Sequence, residues 1–189
     1  MADSVNEKKR MGVSGILLRI ADGIDGVVGR ICRLVIFVVG TFVLLVLSSN
    51  VVARYALETG GFRYAQELPE RLFPFLIMAG AVLAVQRGGH LAVEMLPSLL
   101  PREGRRVLAL LGFSIVIAAY SILGWQALMI ANISWIDLSP ILHMPASYGY
   151  YALSLGCVGV VLSTGSIALR VAISGPEAIP ASEPEEQPT

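Results

Sequence analysis

The sequence predicts an all-α integral membrane protein with four transmembrane helices, both termini in the cytoplasm, and an N-terminal amphipathic helix at the membrane interface. Three observations lead to this fold class. Hydrophobic residues make up 55% of the 189 residues and the mean hydropathy is +0.71, whereas soluble domains are about 45–50% apolar. Long apolar segments recur along the chain, and the basic residues are concentrated in alternate connections between them.

Three segments are long enough to cross a bilayer, which takes roughly 20 apolar residues, and contain no Asp, Glu, Lys or Arg. These predicted spans are residues 34–53, 107–131 and 148–169. A fourth span is predicted at residues 65–86. Its charge-free part, residues 72–86, has only 15 residues and reaches about 22 Å at 1.5 Å per residue. The charged turns before it are therefore needed to complete the crossing.

The orientation follows from the basic residues, which favour the cytoplasmic side of a membrane. Eleven of them lie before the first predicted span, between the second and third spans, or after the fourth. The other three, Arg54, Arg63 and Arg71, lie between the first and second spans. This asymmetry predicts that both termini are cytoplasmic. The chain is therefore expected to enter the membrane domain, residues 34–170, from the cytoplasmic side.

The two ends of the chain are expected to differ from the membrane domain. Apolar residues from 16 to 31 recur at helical spacing and alternate with charged residues such as Asp22 and Asp25. This pattern is typical of an amphipathic helix on the cytoplasmic face, within a cytoplasmic N-terminus of residues 1–33. A cytosolic extension of the first span explains it equally well. The first apolar run is longer than that of a signal peptide, so we expect an uncleaved anchor. Residues 171–189 are acidic and rich in proline, which predicts a disordered cytoplasmic tail.

The sequence contains no spacing typical of catalytic groups, metal ligands or a phosphate-binding loop, so neither an enzyme activity nor a cofactor is predicted. The 14 basic residues balance the 14 acidic residues, and a net charge of zero gives no reason to expect a nucleic-acid partner. Cys32 and Cys157 have no partner at metal or redox spacing, and we interpret both as small apolar residues.

Small residues lie near one face of the fourth predicted span at helical spacing, which predicts close packing against another helix. A further small residue in the second span is expected at a helix contact as well. The predicted packing residues are Gly156, Gly159, Ser163 and Ser166 in the fourth span and Gly80 in the second.

Several local patterns together resemble the DctQ family, the small membrane subunit of tripartite ATP-independent periplasmic (TRAP) transporters. "NVVARYAL" is similar to the family's Arg followed by an aromatic residue, and "YAQEL" to its aromatic-x-x-Glu-Leu element. "FLIMAGAVLAVQRGGHLAVEML" resembles an aromatic segment, a glycine with small neighbours and a basic-Gly-His turn with a following acid. "SPILHMPASYGYYALSLG" resembles the entry to the last span. The residues that carry these matches are Arg54, Tyr55, Glu67, Gly80, Arg87, Gly89, His90, Glu94, Pro140, Pro145 and Tyr148.

The resemblance implies a role in a three-part importer of the bacterial inner membrane. A periplasmic binding protein of the DctP type would capture an organic acid, commonly a C4-dicarboxylate. A large membrane subunit of the DctM type would carry the acid inward by sodium symport. The small subunit would pack beside the large one, as a non-catalytic scaffold surrounded by membrane lipids.

The charged entrance to the second span supports two interpretations. Arg54, Glu67, Glu70 and Arg71 either lie in the outer headgroup layer, where exposed pairs contribute under about 1 kcal/mol, or form a network that docks a partner protein. Glu67 and Arg71 are four residues apart with the acid first, the favourable order for a helix pair. At the inner face, Arg87, His90 and Glu94 either contact the large subunit or belong to a lipid-facing loop.

Two other classes of function stay open at this level. A self-sufficient four-span exporter acting as a dimer generally needs a carboxylate within the membrane, and Glu67 and Glu70 are the nearest candidates. A membrane assembly factor without transport activity is the second alternative. The transported substrate is not readable from this chain.

Overall fold

The computed structural model describes residues 2–56, 61–87 and 101–175, and most of these residues lie in four α-helices. The four helices are α1 (Ala2–Ala56), α2 (Tyr64–Gln86), α3 (Arg102–Ile133) and α4 (Ser147–Ser174). Each contains a segment that is long and apolar enough to cross a membrane by length and composition. The prediction of an all-α protein with four helices long and apolar enough to span a membrane is therefore confirmed.

The helices extend beyond the predicted spans at several ends. Residues 2–56 form one helix, so the segment expected to be an interfacial helix is continuous with the first span, which corresponds to the alternative of an extension. Helix α2 includes both Pro69 and Pro74. Helix α4 continues to Ser174, so the predicted tail begins as helix, and its residues 176–189 lie outside the described part.

Helix α4 is the central element of the bundle. It packs against each of the other three helices, and α1 also packs against α2, whereas within the described ranges α3 packs only against α4. We name the end of the bundle where α3 begins the inner end and the opposite end the outer end, after the predicted orientation. The inner half has a buried core formed by α2, α3 and α4. Its members are Val82, Val85, Ala109, Phe113, Val160, Ile167 and Val171.

Helices α2 and α4 approach closely along a row of small residues on α4, which we call the α2–α4 seam. A Cβ atom built on Gly156 would lie 2.4 Å from the Cβ of Met78, and one on Gly159 would lie 2.9 Å from a methyl group of Val82. Nearer the outer end, a Cβ on Gly149 would lie 3.4 Å from Pro74. Larger side chains do not fit at the first two positions without a shift of α2.

The seam continues toward the inner end with Ser163, which is fully buried. Its hydroxyl accepts a hydrogen bond from Gln86 at the end of α2. Ser166, one turn beyond, is also buried. Gly80 behaves differently from the predicted packing residues of α4, because a Cβ there would meet no atom within 4 Å. No other described helix therefore lies so close to position 80 that only glycine would fit there.

Helices α3 and α4 also pack through small residues. A Cβ on Gly124 would lie 3.0 Å from the Cβ of Cys157, and Ala127 is almost fully buried. The hydroxyl of Ser147 donates a 2.7 Å hydrogen bond to the carbonyl of Ala131. Cys157 is 1% exposed and acts as a small packing residue in this interface.

The seam predicts a large difference between two Gly→Ala substitutions. Gly156→Ala should destabilise the protein by about 1–3 kcal/mol, because the new methyl group overpacks the interface with Met78. Gly80→Ala should be neutral or slightly stabilising, since its Cβ meets open space and alanine favours helix. Thermal unfolding in detergent can be followed by labelling of Cys157 in a Cys32→Ser background. Equal unfolding temperatures for the two variants would contradict the close approach.

Candidate functional site

The polar groups of the bundle are concentrated at its two ends. At the outer end, the loop between α3 and α4 folds back over the start of α2. The carboxylate of Glu67 accepts hydrogen bonds from the backbone N–H groups of Ile141, at 3.2 Å to each oxygen, and Leu142, at 3.1 Å. Glu67 therefore connects α2 to this loop within the same chain.

The loop held by Glu67 has internal hydrogen bonds of its own. The N–H of Ser139 donates to the carbonyl of Met144, and the N–H of Ala146 donates to the carbonyl of Asp137. Next to the loop, the ring of Trp135 packs against Tyr148 at 5.9 Å and Tyr151 at 6.2 Å between centroids. Clustered amphipathic rings are typical of a membrane–water interface, which agrees with the predicted position of this end.

Of the other three predicted entrance residues, Arg71 lies near Glu67, whereas no contact among the described residues joins Arg54 or Glu70 to it. Arg54 is exposed, and its guanidinium lies 6.0 Å from the centre of the Tyr55 ring. Glu70 is exposed and Arg71 is half-buried. Arg71 interacts with the Glu67 carboxylate electrostatically, while the hydrogen bonds to that carboxylate come from backbone amides.

The connection between α1 and α2 is closed by a different residue, Asn50. Its side-chain oxygen accepts a 2.6 Å hydrogen bond from the N–H of Phe62. The preceding residue, Gly61, has a φ of +79°, a conformation that favours glycine, and a Cβ there would lie 2.8 Å from the same Asn50 oxygen. Asn50 was not among the residues predicted to have a role.

At the inner end, Gln86 connects three helices. Its amide nitrogen donates 3.1 Å hydrogen bonds to the backbone carbonyl of Asp25 in α1 and to the hydroxyl of Ser163 in α4. Its amide oxygen lies close to Gly29, where a Cβ would be only 2.7 Å away. Glycine at position 29 therefore allows α1 to approach the end of α2.

The same end contains a charge cluster formed by Asp22, Asp25 and Arg170, which we call the inner charge cluster. Arg170 of α4 donates to Asp22 at 2.9 Å and to Asp25 at 2.5 Å. The Asp22 side chain is 68% exposed, whereas Asp25 is 16% exposed and Arg170 is 24% exposed. The contact between Arg170 and Asp25 is thus shielded from water, and it fixes the first half of α1 against α4.

Arg106, at the start of α3, donates a hydrogen bond to the carbonyl of Ala172 near the end of α4. Arg87 follows α2, is exposed, and continues the helical hydrogen bonds through its backbone N–H to Leu83 and Ala84. His90 and Glu94, the other predicted inner-face contacts, lie outside the described residues.

Comparison with known proteins identifies the family of this helical chain. Residues 42–172 match the family model described as the DctQ component of tripartite ATP-independent periplasmic transporters. The chain belongs to the DctQ family. By its description, this family is a component of tripartite ATP-independent periplasmic (TRAP) transporters. Together with four apolar helices, it supports a multi-pass protein of the inner membrane.

Two curated relatives are similar to this DctQ chain. An uncharacterized protein of Sinorhizobium fredii, y4mM, is 44% identical over 140 residues, which cover 74% of this chain and 26% of the relative. A Haemophilus influenzae protein, provisionally named a TRAP transporter small permease protein, is 23% identical over 109 residues, covering 58% of this chain and 66% of the relative. The matched region is thus about a quarter of the first relative and about two thirds of the second.

The DctQ match contains Gln86 and Arg170 but not the two aspartates of α1 that they contact. The sequence did show a signal for this contact, because Asp22 and Asp25 are three residues apart and so share one helix face. In the sequence, Arg170 contributes only to the charge asymmetry that predicts the orientation of the chain. Pairing across helices far apart in sequence required the fold.

The inner charge cluster predicts unequal effects for its two aspartates. Asp25→Ala should lower the free energy of unfolding by about 2 kcal/mol, because a shielded charge-assisted hydrogen bond is lost. Asp22→Ala should cost less than about 1 kcal/mol, since that side chain faces water. Both variants can be compared by thermal unfolding in detergent. A larger effect for Asp22→Ala would show that the shielded contact is not the important one.

Glu67 is expected to control the mobility of the loop between α3 and α4. Glu67→Ala removes the acceptor of two backbone N–H groups, so amide hydrogen exchange at Ile141 and Leu142 should be faster than in the wild type. Glu67→Gln keeps one acceptor oxygen and should have a smaller effect. Glu70→Ala is the matched control, because Glu70 is exposed. If Glu67→Ala left the exchange rates unchanged, the role of its carboxylate in the loop would be refuted.

Proposed function

We propose that this chain is a non-catalytic scaffold for the large membrane subunit of a TRAP transporter, which imports an organic acid by sodium symport. A periplasmic binding protein would deliver the acid to the large subunit. The proposal is supported by membership of the DctQ family and by one structural observation, the uncovered apolar face of the central helix.

This face, which we call the α4 face, consists of Leu155, Val158 and Leu162. They are 70%, 53% and 42% exposed, although α4 has a larger buried share than any other described helix. The α4 face lies between α1 on one side and α3 on the other. A central helix that is open on one side leaves a concave surface for another element.

Two grooves meet on the α4 face. One has a volume of about 320 Å³ and is formed by α1, α2 and α4, and the other has a volume of about 310 Å³ and is formed by α3 and α4. Val158 and Leu162 line both of them. An element lying along these two residues would therefore contact α1 and α3 at the same time.

The composition of the grooves favours a protein helix as the occupant. The groove beside α3 is lined by Ser121, Gly124 and Ser154 in addition to apolar side chains. Small and hydroxyl-bearing residues allow helices to approach closely in a membrane and to form hydrogen bonds between them. We therefore assign the α4 face to a transmembrane helix of the large subunit.

Charged residues at the two ends would contact the same partner outside the hydrocarbon. Arg54 and Arg87 are exposed at opposite ends of the bundle, and His90 and Glu94 follow Arg87 in the sequence. Glu67 is engaged by its own loop and is excluded from this set. Glu70 and Arg71 line a cavity that calls for a different ligand.

Photo-crosslinking in cells that produce the whole transporter tests the assignment. A photoreactive amino acid at Val158 should crosslink to the large subunit. The same amino acid at Ile115 of α3 should crosslink mainly to lipid, because Ile115 is 69% exposed and lines neither groove. Val158→Trp should reduce both copurification of the large subunit and sodium-dependent uptake of a labelled organic acid.

Three results would refute parts of this proposal separately. Crosslinks from Ile115 but not from Val158 would place the partner on another face. Unchanged uptake without this chain would refute the role in transport. Uptake by this chain alone in proteoliposomes would favour a self-sufficient carrier.

A further inference from the structure

A second cavity lies at the outer end between α2 and α4, on a different side of α4 from the α4 face. Its volume is about 550 Å³, within the range of about 300–1,000 Å³ that is common for ligand sites. Two charged residues, Glu70 and Arg71, line one part of it, and Pro74, Ile77, Met78 and Leu153 line the apolar part.

Arg71 has one hydrogen-bond donor without an acceptor among the described residues. Its Nε atom is buried and has no hydrogen-bond acceptor there, and the nearby Glu67 carboxylate is occupied by backbone amides of the α3–α4 loop. Burying a charged donor without an acceptor is costly. The Arg71 side chain also lines the cavity, and its guanidinium suits a phosphate group especially well.

Glu70 restricts the kind of phosphate that fits. Its exposed carboxylate lines the same cavity as Arg71, so a purely anionic headgroup would be attracted by one residue and repelled by the other. A headgroup with both a phosphate and an ammonium group complements the pair. Phosphatidylethanolamine has this charge arrangement, whereas phosphatidylglycerol lacks the ammonium group.

The rest of the cavity suits the acyl part of such a lipid. From Arg71 to Met78 the helix rises about 10 Å, and the wall over this distance becomes apolar. Tyr150 also lines the cavity and lies between Tyr148 and Tyr151 in the sequence, the two tyrosines that pack on Trp135. These aromatic residues place the charged part of the cavity at the level of lipid headgroups.

We propose that this cavity binds one phosphatidylethanolamine molecule, with its phosphate at Arg71, its ammonium group at Glu70 and an acyl chain along Pro74, Ile77 and Met78. The site is separate from the α4 face and goes beyond the proposed scaffold role. The lipid would supply both opposite charges for the charged entrance of α2 at the level of the headgroups.

Native mass spectrometry of the purified full-length chain in detergent tests the site, with phosphatidylethanolamine and phosphatidylglycerol of identical acyl chains as probes. The wild type should retain one lipid molecule and prefer phosphatidylethanolamine. Arg71→Gln should weaken binding of both lipids by about tenfold, the loss expected for one charge-assisted contact. Glu70→Gln should remove the preference between them. Arg63→Gln is the matched control, because Arg63 is exposed and does not line the cavity.

Ile77→Trp provides a second variant that leaves both charges in place. Ile77 is 66% exposed and lines the apolar part, so a larger ring there should displace the acyl chain and reduce lipid binding even if Arg71→Gln misfolds. Equal binding of the two lipids by the wild type, or unchanged binding in Ile77→Trp, would overturn the proposal. So would an absence of bound lipid combined with crosslinking of a photoreactive residue at Ile77 to the large subunit, which would identify a protein occupant instead.

Discussion

In a membrane, two helices gain little by burying apolar side chains against each other, because lipid tails are equally apolar. Their association depends on close packing and on hydrogen bonds between helices. The α2–α4 seam is the interaction of this kind on which the rest of the bundle depends. Gly156 and Gly159 leave no room for a side chain between the two helices, so Met78 and Val82 pack against the backbone of α4.

The seam determines the positions of the remaining helices. With α2 packed along α4, helix α1 lies against both of them, and α3 occupies another side of α4. The region of α4 between α1 and α3 is left uncovered, and it holds the apolar residues of the α4 face. The same close approach that makes α4 central thus creates the surface assigned to the large subunit.

The two ends of the bundle are fixed by different chemistry. At the outer end, Glu67 binds backbone amides of a loop. This contact therefore does not depend on which side chains the loop carries. At the inner end, Gln86 and Arg170 bind groups on α1 that come from a distant part of the sequence. Both ends are held by hydrogen bonds to anionic or carbonyl oxygens. At the inner end the contact of Arg170 with Asp25 is shielded from water, where such bonds are strong. A bundle held at both ends is suited to supporting a neighbouring subunit.

The sequence by itself determined the number of helices long and apolar enough to span a membrane, and the family, because apolar length and local motifs are properties of contiguous residues. It also identified the small-residue face of α4, since helical periodicity is local. It did not distinguish Gly80 from Gly156, because a small residue does not reveal whether another helix lies opposite. Only the tertiary structure separated the entrance charges into Glu67, bound by a loop some 75 positions later, and Arg71, whose Nε lacks an acceptor among the described residues. It alone paired Arg170 with Asp25, because which helices become neighbours depends on packing across the whole bundle.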